Sequence, residues 1–303
     1  MAKKRDIVVG IIIGSIFLFS IGFIGLMFIG LFSGGGGEFD FTTVGSGNIG
    51  VIEVAGVIDE TMGRRVIHYL DNWADNGSIK AIVIHVNSPG GGVAISQEIY
   101  DAIKRAAEEK PVISSFASIA ASGGYYIACA TDRIVANPGT LTGSIGVIMQ
   151  FYTFEELMDK VGMSTETIKS GELKDVGAID RAMTQKEELM LKSVVMDSYE
   201  QFVEAVSEGR HMDKEDIYPL ADGSVYTGLQ AYNLGLVDEL GGLKEAVDLA
   251  AEMAELTGEP KIVKPYERQE VTIFDLLGGF SGFLEKTVEN HMVGPQLMYI
   301  YQQ

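Results

Sequence analysis

At 303 residues the chain has room for one large domain, or two small ones with an appendage. A formal charge of −19 and a pI near 4.6 exclude the basic face that nucleic-acid binding requires, and the acidity reads as a soluble, self-repelling surface. The single cysteine, Cys129, excludes an intrachain disulfide; within its apolar run it reads as a small buried hydrophobe and says little about redox compartment.

Residues 7–32 are apolar and uncharged, long enough to cross a bilayer that needs about 20 residues. Lys3, Lys4 and Arg5 precede this run and no basic residue follows closely, so residues 1–6 are expected in the cytoplasm and the remainder outside. A cleaved signal peptide is the alternative, but its apolar core is ordinarily about 7–15 residues. The expectation is therefore a single-pass anchor, residues 7–32, held in the lipid of the cell membrane. Residues 33–48, with four glycines at 34–37, are a flexible linker. Gly45-Ser46-Gly47-Asn48-Ile49-Gly50 fits the dinucleotide fingerprint, but it precedes a strand instead of opening a helix and is rejected.

From residue 49 to 265 strand and helix patterns alternate. Strands are predicted over 51–57, 81–86, 111–117, 134–136, 144–149 and 164–168. Helices are predicted over 62–73, 93–107, 125–130, 154–161, 185–208, 213–220, 229–234 and 242–256. Alternation of this kind indicates an α/β domain of βαβ units around a mainly parallel sheet. The apolar run at 81–86, interrupted by His85 alone, fits a strand buried on both faces. In the tail, 266–303, residues 274–288 fit an amphipathic helix. The uncharged end Pro295-Gln296-Leu297-Met298-Tyr299-Ile300-Tyr301 would be an aggregation hazard if exposed, so it is expected to dock on its own domain, a neighbouring subunit or a membrane.

The chemistry centres on Ile119-Ala120-Ala121-Ser122-Gly123-Gly124, at the junction of a strand and a helix. Small neighbours permit a sharp turn that exposes a hydroxyl at a helix N-terminus, where unpaired N–H groups favour developing negative charge. Alone, the stretch reads more simply as a serine N-cap with glycines for close packing. A nucleophile also needs an oxyanion hole and a base. Ser88-Pro89-Gly90-Gly91-Gly92 ends one strand and opens a helix, so one of its N–H groups and that of Gly123 are candidates for the hole; no Gly-Lys-Ser/Thr follows, which rejects a phosphate loop. Of His68, His85, His211 and His291, His85 is the hardest to dismiss as a base, and all four read as structural or solvated. A lysine base must lose its proton from an ordinary pKa of about 10.4, and burial that brings it to about 7–8 costs about 4 kcal/mol. Lys169 and Lys174 both follow a predicted strand, Ser144 offers a hydroxyl to position an amine, and spacing does not choose between the two lysines.

Taken in order, Asn87-Ser88-Pro89-Gly90-Gly91, Ala120-Ala121-Ser122-Gly123-Gly124-Tyr125-Tyr126, Leu141-Thr142-Gly143-Ser144-Ile145-Gly146 and Ser170-Gly171 with Lys174-Asp175 resemble the signal peptide peptidase A family. The resemblance covers roughly residues 50–256, and the anchor and the Met298-Tyr299-x-Tyr301 ending agree with it. It implies a ClpP/crotonase-like fold of repeated β-β-α and βαβ units and a homo-oligomer, a ring or dome with sites facing an inner cavity. It also implies a serine endopeptidase that hydrolyses peptides, remnant signal peptides among them, outside the cytoplasmic membrane, with no metal and no cofactor. Residue by residue it implies Ser122 as nucleophile, Lys174 as general base, Ser144 as the lysine-positioning hydroxyl, and the backbone N–H groups of Gly91 and Gly123 as the oxyanion hole. Two positions depart from the pattern: His85 stands where relatives carry arginine, and Gly177-Ala178-Ile179-Asp180-Arg181 matches a Gly-Ser-Pro-x-Arg segment loosely. The competing readings are a related membrane ClpP-class protease acting on membrane-protein partners, a crotonase-type acyl-CoA enzyme, and a scaffold with a decayed site.

Overall fold

The computed structural model describes residues 47–265 and the backbone strand Met298–Ile300. Strand β1 (Ile49–Ala55) leads into helix α1 (Glu60–Ala74), whose first turn is capped by Asp59 accepting the Met62 N–H at 2.7 Å. β2 (Ala81–Ser88), β3 (Gly90–Gly92) and α2 (Val93–Glu109) follow. β4 (Val112–Ala121) ends at Ser122, and α3 (Gly123–Ala128) starts at once. β5 (Arg133–Ala136), β6 (Leu141–Gly143), α4 (Glu155–Val161) and a 3-10 turn (Glu172–Asp175) come next. The long α5 (Gln185–Arg210) then precedes α6 (Lys214–Ile217), a 3-10 turn (Tyr218–Leu220), β7 (Val225–Thr227) and α7 (Gly228–Asn233). β8 (Glu239–Leu240), α8 (Leu243–Met253), β9 (Ile262–Val263) and β10 (Met298–Ile300) complete the order.

The expected mixed α/β architecture with a mostly parallel sheet is present. Strand order is β7-β6-β4-β2-β1-β9, every pair parallel except β6 with β7. On the side away from β2, β4 serves two neighbours: residues 113–116 pair with β5, which carries β8, and residues 119–121 pair with β6. This fork leaves the C-terminal end of β4 between β2 and β6, which is where Ser122 sits. Both faces of the sheet are covered, which is why its central strands read as continuous apolar runs. Ile52, Val54, Ile82, Ile84 and Val86 face α1, α2 and α3, while Ile49, Val51, Val83 and Ile113 pack on Ala246, Val247 and Ala250 of α8. Cys129 is buried as expected, and burial pushes its thiol up to about 12, so it is an inert hydrophobe.

Two predicted strands are absent. Over 144–149 the chain cannot continue β6, because Gly143 (φ +78°) and Ser144 (φ +51°) both curl out of the extended region. Over 164–168 no strand lies alongside to complete a ladder, and Ile168 is fully exposed. The predicted helix 213–220 divides into α6 and a 3-10 turn with a proline, Pro219. Strands β3, β7, β8, β9 and β10, two or three residues each, are too short to show a period in sequence. Among the described residues no helix is long and apolar enough to cross a membrane; the predicted anchor, 7–32, and the predicted helix, 274–288, lie outside them.

Candidate active site

Ser122 occupies the N-cap position of α3 with φ +52° and ψ −117°, a conformation that non-glycine residues rarely adopt. Its own backbone holds it there: Ser122 N–H donates to Gly143 O at 2.8 Å, and Ser122 O accepts the Tyr126 N–H at 2.8 Å. The hydroxyl, however, caps nothing. The residue is 1% exposed, and Oγ has no hydrogen-bond partner among the described residues. A strained backbone, a buried unpaired hydroxyl and a helix N-terminus together separate Ser122 from the simple capping serine that its local sequence suggests.

The glycine loop lies beside it. A side chain at Gly124 would stand 2.9 Å from Ser88 O, so the first turn of α3 is seated against the end of β2. Within the loop, Gly90 N–H is taken by Ser88 Oγ (3.0 Å) and Gly92 N–H by Ile58 O (2.9 Å), while Ile58 N–H donates to Gly90 O (2.9 Å). Strand alternation turns the N–H and C=O of Gly91 to the opposite edge. That edge is filled by β10, antiparallel, with Tyr299 opposite Gly91, Met298 opposite Gly92 and Ile300 opposite Gly90. The apolar end of the chain thus docks on its own domain, along the loop that borders Ser122.

Ser144 follows directly on the carbonyl that accepts Ser122 N–H; its own N–H donates to Ser224 O at 2.7 Å, and it is 8% exposed. It lines a cavity of about 420 Å3 with Val147, Val195, Tyr199 and Asp222. Among the described residues no histidine reaches Ser122. His68 bonds Asn72, His211 terminates α5 in the left-handed region, and His291 lies outside the described residues. His85, on β2, reaches Ser115 Oγ on the neighbouring β4 at 3.4 Å, its pKa lowered first by burial and also by Lys264. The lysines differ. Lys169 Nζ is committed to Asp175 Oδ1 (2.6 Å) and Glu172 O (3.1 Å). Lys174, on the turn Glu172–Asp175, is exposed, and a single chain does not bring its amine to Ser122 Oγ. The desolvated amine that a lysine base requires is therefore not assembled within one chain.

Residues 104–257 match the model of peptidase family S49, and residues 48–139 match the Clp protease model. The chain is 40% identical to the slr0021 protein of Synechocystis sp., over 80% of its own length and 87% of the relative's. It is 32% identical to “Serine protease SPPA, chloroplastic” of Arabidopsis thaliana over 78% of this chain and 37% of that one, and 34% identical to “Protease 4” of Haemophilus influenzae over 68% and 34%. The chain belongs to peptidase family S49. It is a serine peptidase of the kind that its motifs resemble.

For this S49 peptidase Gly91 is irreplaceable on steric grounds: a Cβ would lie 2.0 Å from Ile58 O and 2.6 Å from Ile58 N, backbone atoms that cannot swing aside. Gly91→Ala must push β3 off Ile58 and break two backbone hydrogen bonds there. The expected cost is about 2–3 kcal/mol in urea unfolding.

Two features of the S49 domain escaped sequence reasoning. Strand β10 was readable only as an end that must dock somewhere. The other is a charge network, Lys169–Asp175–Arg181–Glu187, beside the lysine turn; Arg181 had appeared only as part of a loosely matching segment.

Proposed function

We infer that this chain is a membrane-anchored endopeptidase with a ClpP/crotonase-like fold and a Ser-Lys dyad, Ser122 and Lys174. The observation that carries this is the Ser122 hydroxyl, buried and unpaired at a strained N-cap, beside a strand edge that accepts an extended chain. In the proposed reaction the neutral amine of Lys174 takes the proton of Ser122, whose oxygen attacks the scissile carbonyl. The N–H groups of Gly91 and Gly123 stabilise the oxyanion. The ammonium gives its proton to the leaving amine, and water activated by the same lysine clears the acyl-enzyme. Lys169 is the poorer candidate, because its charge is spent on Asp175.

Assembly supplies what one chain lacks. Residues 150–183 bury no side chain and expose Tyr152, Leu157, Val161, Met163 and Ile168, an apolar surface of the kind that a second copy covers. In the proposed ring or dome, Lys174 of one copy completes the site around Ser122 of its neighbour, with Ser144 positioning the amine. The domain boundaries follow from the same reading: cytoplasmic 1–6, anchor 7–32, linker 33–48, peptidase domain 49–265 and tail 266–303, with the catalytic domain outside the cytoplasmic membrane. A crotonase-type reaction has no use for an activated Ser122.

The pairing of β10 with β3 supports an extended substrate that adds as an antiparallel strand along Gly90–Gly92. Apolar or small side chains, as in remnant signal peptides, suit that edge. Full-length protein in detergent micelles is expected to cleave members of an apolar peptide library; failure on every member overturns the reading. Because β10 occupies the same edge, removing residues 295–303 is expected to lower KM several-fold for short peptides. An unchanged KM removes Gly90–Gly92 as the substrate edge.

A further inference from the structure

We propose that Arg181 is the positioning residue of this peptidase: it clamps the turn that carries Lys174 onto the first turn of α5. The proposal rests on the reading of Lys174 as base. The Glu172–Asp175 turn has no apolar anchor, since neither it nor any residue from 151 to 184 is buried. Its own backbone bonds, Lys174 N–H to Gly171 O at 3.2 Å, Val176 N–H to Leu173 O at 3.4 Å and Ala178 N–H to Asp175 O at 3.0 Å, are all local. Something else must fix its place, and the charge network does.

The Arg181 guanidinium reaches both sides of the junction. Toward the turn, Nη2 lies 3.0 Å from Asp175 Oδ1 and donates to Asp175 O at 3.3 Å, while Nε lies 3.4 Å from Asp175 Oδ2. Toward the helix, Nη1 donates to Glu187 Oε2 at 2.9 Å, and Nη2 donates to Glu187 Oε1. Glu187 is 1% exposed and is itself pinned by the α5 capping box, where its Oε2 accepts Thr184 N–H at 2.8 Å and Thr184 Oγ1 at 3.0 Å. Further along α5, Phe202, Val203 and Val206 are fully buried in the core. The half-buried path from core to lysine is therefore α5, Glu187, Arg181, Asp175, Lys174; the other tie from α5 to the turn, Lys186 with Glu172, is an exposed pair. Lys169 closes the far side of Asp175 at 2.6 Å, and the four charges cancel.

Only a planar fork with several donors spans two carboxylates and a carbonyl at once; a lysine in its place has one point charge for the same span. Both carboxylates stay ionised over the working range. Hydrogen bonds from Lys169 and then Arg181 hold Asp175 below its ordinary range, and Arg181 above all, with Thr184, holds Glu187 at about 2. A depressed carboxylate favours the folded arrangement above the ordinary carboxylate pKa and loses that contribution as pH falls through the lowered value. The clamp is thus closed at neutral and alkaline pH, where an amine base works.

A turn released from its clamp misplaces the amine without touching the substrate edge. For full-length, assembled Arg181→Ala and Arg181→Lys the expected result is about a hundredfold loss of kcat with KM within about twofold. Millimolar methylguanidinium is expected to restore part of the activity of Arg181→Ala and none to Arg181→Lys. Asp175→Asn, which keeps shape and removes the charge that Arg181 reads, is the second variant and decides the matter if Arg181→Ala fails to fold or assemble. Lys244→Ala, which breaks an exposed pair on α8, is the control and leaves activity unchanged. Wild-type kcat in a folded, assembled Arg181→Ala or Asp175→Asn overturns the proposal, as does a loss confined to KM. If Lys174→Ala is itself active, the reading of the base has failed instead.

Discussion

Replacing Ser122 with alanine is expected to lower kcat/KM by at least about 10³-fold while leaving the melting temperature unchanged or slightly higher. The second half of this expectation follows from the structure alone. A buried hydroxyl is ordinarily bonded, and truncating it leaves a partner stranded. Within one chain Ser122 Oγ has no partner among the described residues, so nothing there is stranded, and its own unmet desolvation disappears. The gain is about 1 kcal/mol, worth a few degrees at most. The strained φ of +52° is unrelieved, because alanine bears the same Cβ. Peptide cleavage and thermal unfolding, measured on one preparation, check both halves. A large drop in melting temperature would mean that the hydroxyl is structural, and residual activity near wild type would remove Ser122 as nucleophile.

Lys174→Ala is expected to be equally inactive, and mixing is the sharper measurement. If the amine is supplied by a neighbouring subunit, dissociating Ser122→Ala and Lys174→Ala proteins together and reassembling them restores sites in which an intact Ser122 meets an intact Lys174. Random mixing rebuilds up to about a quarter of wild-type sites. A dyad formed inside one chain gives no recovery, because every chain then carries one defect. The exposed position of Lys174 in the single chain and the uncovered apolar segment around it lead to the first outcome. Recovery by Lys169→Ala mixed with Ser122→Ala, with Lys174→Ala fully active, would transfer the role to the other lysine.

The turn at Ser122 was legible because its motif is contiguous, although alone it reads as a capping serine and only the resemblance implied a nucleophile. Small residues, a serine and glycines between a strand pattern and a helix pattern leave few conformations, and the α/β class followed from the alternation of the two periods. The resemblance named Gly91 as a donor; that its N–H faces the edge taken by β10, while Ser88 Oγ and Ile58 O take the neighbouring N–H groups, was visible only in the fold. The choice between Lys169 and Lys174 was closed to spacing, since five residues apart on one loop both are candidates. The ion pair of Lys169 with Asp175 distinguishes their surroundings and is what favours Lys174 in the proposed dyad. Arg181 was invisible as a clamp, because its two carboxylates lie six residues to either side and nothing in a linear pattern says that one guanidinium faces both.

Local sequence dictated what is local: the buried parallel strands, the helix faces, the capping box of α5, the sharp turn at Ser122 and the apolar character of the chain end. These depend on side-chain periodicity and on turn and cap chemistry, which act over a few residues. Long-range packing settled the rest. Which edge each glycine N–H faced, which edge the last strand occupied, and which lysine of the loop was ion-paired are outcomes of a competition for hydrogen-bond partners. Those partners come from distant parts of the chain, and only the folded arrangement brings them within reach.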